Sequence, residues 1–340
     1  MKNLAKIVIA FLVLFSIISC DNEDEQQNPP ADLDCPPVEI LGYKIEQSAT
    51  TGDFGSSLNS LITPTFTFIT AVSQPQPFQS AATNNAIYNP LTKEYLLVSG
   101  EKGKLTTVNT LSATSTVTNI PLFSNIGFYR IVNAPVIVGG NVYYGCYNFT
   151  TEVFSLTDAN FNIIPSSNTS IALSSLNGYE LPTFTSTTDE INHIYFVLGN
   201  RIITYNTSTI SAANVSAAIV TPAGSSSSES IISLEFKETN KLYAIMENWG
   251  VSDSKLVELD ISNPLLVTKS EIYDFGFRVN PDFFSTLYDD CTKMYYVSTM
   301  SNLSSFPNGQ ITKLNLSGSS PTLESTTSTT FVELGLTLKK

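Results

Sequence analysis

Short apolar runs alternate with polar turns along most of the chain, and this plan returns about every 50 residues. Each copy has a strand, a polar turn, a second strand that carries a tyrosine, and a third strand. The tyrosines recur at intervals of 48 to 52 residues: Tyr95, Tyr143, Tyr195, Tyr243 and Tyr295. A fixed period of this length is typical of repeat proteins, and a repeat made of strands and turns predicts a propeller-like array.

The third strand of each copy repeats most strictly. Two apolar residues three positions apart are followed by a short polar residue, as in Leu105, Val108 and Asn109. The other copies are Val153-x-x-Leu156-Thr157, Ile202-x-x-Tyr205-Asn206, Leu256-x-x-Leu259-Asp260 and Ile311-x-x-Leu314-Asn315. Residues three apart in a strand point to opposite faces, so we expect this strand to pack between two neighbouring sheets. The polar residue can close the next turn through its side chain.

This pattern resembles the third strand of kelch and quinoprotein-like β-propellers, over about residues 81–331. The flanking ends of the domain each contain a candidate strand, at residues 65–69 and 331–338. We therefore expect an all-β propeller of six four-stranded blades, with five clear repeats and one blade shared by the two termini. Such closure leaves no free sheet edge. A seven-bladed or a five-bladed propeller is the alternative.

Residues 1–19 predict a lipoprotein signal peptide. Lys2 and Lys6 precede an apolar run over residues 7–18, which is too short for a membrane-spanning helix of about 20 residues. The run ends in Ser19-Cys20, which resembles the bacterial lipobox. That resemblance implies that Cys20 is lipidated and becomes the mature N-terminus. The alternative is an ordinary signal peptide that happens to end at a cysteine.

Residues 20–34 predict a disordered acidic tether, and residues 35–340 a single propeller domain. The acidic run over residues 21–25 resembles the surface-export signal of Bacteroidetes lipoproteins. It implies a lipid-anchored protein of the outer membrane that faces the cell exterior. A periplasm-facing anchor is the alternative.

Net charge narrows the possible partners. The chain carries a formal charge of −13, and loss of Lys2 and Lys6 with the signal peptide makes the mature charge −15. An acidic exported protein has too little positive charge to neutralise phosphates, so no nucleic-acid partner is expected. Anionic membrane surfaces would also repel it, so the lipid must supply the membrane attachment.

Residues with catalytic potential are sparse. His193 is the only histidine, and it precedes Tyr195 in a turn, so a His-rich metal site is excluded and any Ser-His-Asp triad would have to use it. No cofactor is expected. Cys146 lies in a tyrosine strand and is expected to be a buried thiol. Cys35 and Cys291 are expected to form a disulfide, because closure brings the N-terminus beside the last blade.

The sequence favours a non-catalytic binding or display module for a glycan or an outer-membrane protein partner. The loop after each tyrosine strand varies most, with 7 to 16 residues between the tyrosine and the third strand. Loops tolerate changes in length better than strands do, and binding residues are often located on them. The candidate ligand-binding residues in these loops are Asn248, Trp249, Tyr147, Phe149 and Phe306. Trp249 is the only tryptophan, and its alternative role is to pack onto its own blade.

A calcium-dependent propeller enzyme is the alternative function. Polar residues precede the inner strands, and Glu180, Glu229 and Asp282 are the carboxylates among them. Calcium prefers oxygen ligands, and the arrangement resembles the channel-mouth ring of lactonase-type six-bladed propellers. The spacing from these residues to their tyrosines is irregular, which favours ordinary polar loops.

Overall fold

In a computed structural model, the chain divides into two units, Met1–Pro36 and Pro37–Lys340. Of the first unit the structure describes Cys35. Of the second it describes residues 39–47, 54–62, 67–74, 86–99, 103–121, 129–131, 135–172, 174, 185–219, 228–249, 253–280, 284–300, 308–330 and 332–339. The predicted signal peptide and tether, with Cys20, lie outside the described residues.

Six antiparallel sheets form the six blades of a β-propeller. Blade 1 contains β1 (Glu39–Gln47), β2 (Phe54–Ile62) and β3 (Thr67–Gln74). Blade 2 contains β4 (Ala86–Asn89), β5 (Glu94–Ser99), β6 (Lys104–Asn109) and β7 (Thr114–Asn119). Blade 3 contains β8 (Tyr129–Ile131), β9 (Val136–Val138), β10 (Asn141–Asn148), β11 (Val153–Thr157) and β12 (Thr169–Ser170); β8 and β9 both pair with β10.

The second half of the chain follows the same plan. Blade 4 contains β13 (Ser186–Thr188), β14 (His193–Leu198), β15 (Arg201–Asn206) and β16 (Asn214–Val215). Blade 5 contains β17 (Ser228–Glu238), β18 (Lys241–Trp249), β19 (Lys255–Asp260) and β20 (Thr268–Asp274). Blade 6 contains β21 (Phe284–Asp289), β22 (Met294–Met300), β23 (Gly309–Asn315) and β24 (Thr322–Thr329). In the described chain no helix is long and apolar enough to span a membrane.

The C-terminal strand closes the ring. β25 (Val332–Lys339) pairs antiparallel with β1 and completes blade 1 as its fourth strand. It lies beside β4 of blade 2 and β21 of blade 6, so it is the inner strand of its blade. This confirms the predicted six blades and the predicted blade shared by both termini.

The third strand of a blade is buried on both faces, as its pattern predicted. In blade 5, Leu256 packs in a cluster with Tyr295 and Leu314 of blade 6. Leu259, three positions on, packs in a different cluster with Tyr195 of blade 4. One strand therefore contributes to two interfaces between blades, and the hydrophobic core is a ring of such interfaces.

The polar residue after the third strand caps the next turn. Asn109 Oδ1 accepts the backbone N–H groups of Leu111 and Ser112, each at 3.0 Å. In the same way, the side-chain Oδ1 atoms of Asn206, Asp260 and Asn315 each accept the backbone N–H of the residue two positions on, at 2.9 Å. Blade 3 is the exception, because Thr157 is buried and Asp158 accepts the turn's N–H groups instead.

A buried contact joins the closing strand to blade 2. The Tyr95 hydroxyl donates to the carbonyl oxygen of Gly335 in β25 at 2.7 Å. Gly335 has a φ of +59°, and a Cβ added there would overlap the Tyr95 hydroxyl and lie 2.7 Å from the Cβ of Ala86. Only glycine satisfies both the backbone conformation and the close approach.

Replacing Gly335 with alanine should destabilise the propeller by more than the backbone conformation alone explains. Gly276 is the matched control, since it has a φ of +66° and open space around it. Gly276→Ala should lower the free energy of unfolding by about 1–2 kcal/mol, because an alanine is strained in the left-handed conformation. Gly335→Ala should cost about 1–3 kcal/mol more, because the Tyr95 hydrogen bond is also lost. Urea unfolding measures both, and equal losses would show that the contact contributes nothing.

Candidate functional site

The channel along the propeller axis widens into a cavity of about 550 Å³. It lies where the inner strands run into the turns that precede the tyrosine strands. Every blade contributes to its wall, for example with Thr337, Tyr88, Pro135, Thr187, Glu235 and Tyr288 from blades 1 to 6 in order. The exposed turn residues Pro90, Gly140, Glu190 and Asp290 also line it, so the cavity opens to solvent between the turns.

Side-chain caps hold these turns in place. Asn89 Oδ1 accepts the N–H of Leu91 at 3.0 Å, and Asp289 Oδ1 accepts that of Cys291 at 3.2 Å. In blade 4, Asp189 caps its turn in the same way. Short Asn and Asp side chains favour such turns because they hydrogen-bond to backbone groups two or three residues on. The rim of the cavity is therefore fixed by local sequence.

Hydroxyl groups join one inner strand to the next. The N–H of Tyr88 donates to Thr337 Oγ1 at 3.3 Å, which links blades 1 and 2. The N–H of Phe236 donates to Thr187 Oγ1 at 3.0 Å, which links blades 4 and 5. The N–H of Leu336 donates to Ser285 Oγ at 2.8 Å and links blades 6 and 1. These bonds set the spacing of the strands, so the wall is preformed.

Of the three glutamates on the inner strand β17, Glu235 is the one that lines the cavity. Its side chain is half-buried, and its Oε1 accepts the hydroxyl of Thr286 in blade 6 at 2.7 Å. The bond holds the carboxylate at the junction of blades 5 and 6. Glu235 also raises the pKa of the buried Tyr295 behind it, after the larger effect of burial itself.

Three further acidic residues line the cavity from its turns. Burial raises the pKa of Asp189, but hydrogen bonds from His193, Asn192 and Ile191 outweigh it and leave that pKa below its usual value. Asp290 is paired with Lys293 at 2.5 Å. Glu190 is exposed. Among the described residues that line the cavity, none is a lysine, arginine or histidine, and the charged ones are acidic.

Aromatic rings form part of the wall. Tyr88 and Tyr288 are 5% and 7% exposed, and Phe236 stacks on Tyr195 with ring centroids 6.3 Å apart. Tyr288 packs edge to face on Tyr243 at 5.0 Å. Burial, followed by the neighbouring Tyr243, raises the pKa of Tyr288, so its phenol stays neutral.

The structure describes part of the predicted loop site. The predicted loop position of Asn248 and Trp249 is wrong, because both end strand β18, where their backbones pair with Glu229 and Ser228. Their side chains lie outside the described residues, as does the whole of Phe306. The ligand-binding role of these residues remains a prediction.

The predicted loop position of Tyr147 is wrong. It lies in β10 and is fully buried, with its hydroxyl donating to the carbonyl of Ile171 at 2.7 Å. The turn begins only after Asn148, whose Oδ1 accepts the N–H groups of Thr150 and Thr151. Phe149 is half-buried and packs edge to face on Tyr147 at 5.0 Å. The surface aromatic of this loop is therefore Phe149.

The candidate calcium ligands are not described together. Glu180 and Asp282 lie outside the described residues. Glu229 lies in β17 and is ion-paired with Lys269 of β20. Within the described chain, no group of three His, Cys, Asp or Glu residues is placed to hold a metal ion.

The three described cysteines are in two states. Cys146 is a buried free thiol, and burial raises its pKa to about 12. Cys35 and Cys291 each take part in a disulfide. The pairing of Cys35 with Cys291 remains the prediction made from the sequence.

Sequence reasoning missed Glu235 and Thr286. The sequence signal was available, because Glu235 is the one charged residue in the mostly apolar segment over residues 231–236. A charged residue in the middle of an inner strand must face the channel or a polar partner. The carboxylate predicted from this strand was instead Glu229, near its start.

No protein-family model and no curated protein matches the chain. Among solved structures, it is similar to a chain of a nidogen/laminin complex, with 9% identity over 88% of this chain and 98% of that chain and a TM-score of 0.54. It is also similar to a luciferin-regenerating enzyme, with 12% identity over 83% and 96% and a TM-score of 0.48.

A third similar structure is hydrazine synthase from Kuenenia stuttgartiensis, with 13% identity over 72% of this chain and a TM-score of 0.44; the match spans 65% of that chain. Likenesses at these identities concern the fold alone. The architecture is a six-bladed propeller with a polar and aromatic cavity on its axis.

Chelators should leave thermal stability unchanged. A calcium ion shared by Glu180, Glu229 and Asp282 would stabilise the folded state by mass action. Because Glu229 is already ion-paired with Lys269, we expect the same melting temperature with EDTA and with millimolar calcium. A lower melting temperature in EDTA that calcium restores, and that Glu229→Gln abolishes, would revive the calcium-enzyme alternative.

Proposed function

We propose that this protein is a lipid-anchored binding module of the outer membrane with no catalytic role. The observation that carries the proposal is the preformed cavity of about 550 Å³ to which all six blades contribute. Its hydroxyls, carboxylates and aromatic rings are the groups that fix a ligand by hydrogen bonds and ring contacts. The volume is in the range of small-molecule sites.

The membrane attachment is proposed from the sequence. The basic residues, the apolar run and the Ser19-Cys20 pair are in register for lipidation at Cys20. Several acyl chains on one cysteine suffice for stable anchoring, whereas a single chain binds marginally. Residues 20–34 then hold the propeller away from the bilayer, and their acidic start supports display on the cell exterior.

A second binding surface is proposed at the variable loops. Asn248 and Trp249 lie at the far end of β18 from the turns that ring the cavity, since β18 begins at Lys241 next to its turn. A glycan or an outer-membrane protein partner would bind there, with Trp249, Phe149 and Phe306 as contact residues. Aromatic side chains beside amides suit both kinds of partner.

Cys20→Ala should release the protein from the membrane. The unaltered protein should incorporate labelled palmitate and fractionate with the outer membrane, and Cys20→Ala should do neither. Cys146→Ala is the control, because it removes a buried cysteine without touching the anchor. Retention of Cys20→Ala in the membrane would contradict lipid anchoring, and protection of the domain from protease on intact cells would contradict outward display.

Trp249→Ala should weaken partner binding by about tenfold or more, as truncation of an aromatic hot spot does. Trp249 is the only tryptophan, so its fluorescence reports binding directly during titration with glycans or solubilised outer-membrane proteins. Leu265→Ala, at a residue 58% exposed, is the control. A folded Trp249→Ala protein with full affinity would place this partner elsewhere.

A further inference from the structure

We propose that two copies of the chain pair through β24, the outer strand of blade 6, so that the two blades join in one continuous sheet. Such a dimer goes beyond the binding function proposed above and does not depend on it. Three features support it: the exposed edge of β24, the protection of the other outer strands, and the side chains that self-pairing brings together.

The edge of β24 is long and exposed. The strand runs over eight residues, Thr322–Thr329, and pairs with β23 on its inner edge. Between Thr322 and Ser328 every residue is exposed, and no described strand pairs with the outer edge. The register with β23 shifts at Glu324 and is regular from Ser325 onward. Edge strands present backbone N–H and C=O groups that can hydrogen-bond with a further strand.

The other outer strands are short, charged or adjacent to one another. β12 and β16 have two residues each. β20 carries Lys269 and Glu271, which form ion pairs with residues of the same blade. β3 of blade 1 and β7 of blade 2 lie beside each other. Short strands, charged side chains and covering elements are the usual protections of a sheet edge. Over residues 325–328, β24 has none of them.

The side chains of β24 favour a second copy as the paired strand. Residues 325–328 are Ser-Thr-Thr-Ser, which carry hydroxyl groups and no charge. A twofold axis at Thr327 places Thr327 of one copy opposite Thr327 of the other, and Thr326 opposite Ser328. Thr–Thr and Thr–Ser pairs across an antiparallel ladder stabilise it through side-chain hydrogen bonds. Twofold pairing is also closed, so it ends at a dimer.

The charges near this edge permit self-pairing. Glu324 is the charged residue of β24, and the twofold axis places it opposite Thr330 of the second copy. The two Glu324 carboxylates are then six residues apart along the ladder, which is about 20 Å. This exceeds the screening length of about 10 Å at 0.1 M salt. Each chain carries −13 overall, so pairing should strengthen as added salt screens the repulsion between copies.

Oxidative cross-linking of the folded protein with Thr327→Cys tests the contact. Residues directly opposite each other in an antiparallel pair have Cα atoms about 4.5–5.5 Å apart, which a disulfide can bridge. We expect a disulfide-linked dimer on a non-reducing gel, with the link between the two introduced cysteines shown by peptide mapping. Ser270→Cys, at an exposed position of the charged outer strand β20, is the matched control and should stay monomeric.

Charge exchange at the same position tests the pairing without a covalent link. Thr327→Lys places two lysines opposite each other and should weaken dimerisation by about tenfold or more in sedimentation equilibrium. Thr327→Glu should do the same, and an equal mixture of the two variants should recover the dimer because opposite charges then pair. Ser270→Lys should change nothing. Equal urea midpoints would show that all variants are folded.

Several results would overturn self-pairing through β24. One is an unaltered protein that stays monomeric at about 1 mM in high salt, where even a millimolar dissociation constant would give substantial dimer. Another is a dimer that Thr327→Lys leaves intact, since the copies would then meet elsewhere. Failure of the lysine and glutamate variants to pair with each other, or equal cross-linking at Thr327 and Ser270, would also contradict it. None of these results bears on the Trp249 titration.

Discussion

The pairing of β25 with β1 is the constraint on which the rest of the propeller depends. The paired residues include Ile40 with Leu338, so the two ends of the folded domain meet in one sheet. Each blade is buried on both faces by its neighbours, as Leu256 and Leu259 show on opposite faces of one strand. A ring of such blades leaves two apolar faces open unless its first and last members touch. Strand pairing between the termini supplies that contact.

The cavity is a consequence of the same closure. Its wall takes residues from six blades, and the bonds that fix it, such as Leu336 to Ser285 and Tyr88 to Thr337, run to or from the closing strand. Strand spacing, rather than any single blade, therefore sets the dimensions of the cavity. The charged residues among the described part of the wall are acidic, and one of them, Asp290, is paired with Lys293 outside the wall.

Much of the fold could be predicted from the sequence because it is encoded by local repeats. The third-strand pattern located β6, β11, β15, β19 and β23, and the capping roles of Asn109, Asn206, Asp260 and Asn315 follow from residue type and position. Tyr147 was misplaced because β10 runs eight residues, to Asn148, and nothing in its composition distinguishes a longer strand from a short loop.

The candidate site could not be predicted in the same way. Thr187, Glu235 and Thr286 are separated by about 50 residues each in the chain and belong to three blades. No spacing rule within one repeat brings them together, because their proximity arises from the circular arrangement of the inner strands. Only the charge of Glu235 inside an apolar run was visible locally.

Closure by the C-terminal strand also determines the order in which strands can pair during folding. The inner strand of blade 1, β25, follows all the other described strands in the chain, so β1, β2 and β3 must wait for it. Contacts between distant parts of a long chain form slowly. Conformational entropy is lost when the two segments are brought together, before the contacts between them contribute any stabilisation. The ring therefore completes only when β25 docks, and removal of residues 332–339 would remove the strand that joins blade 2 to blade 6.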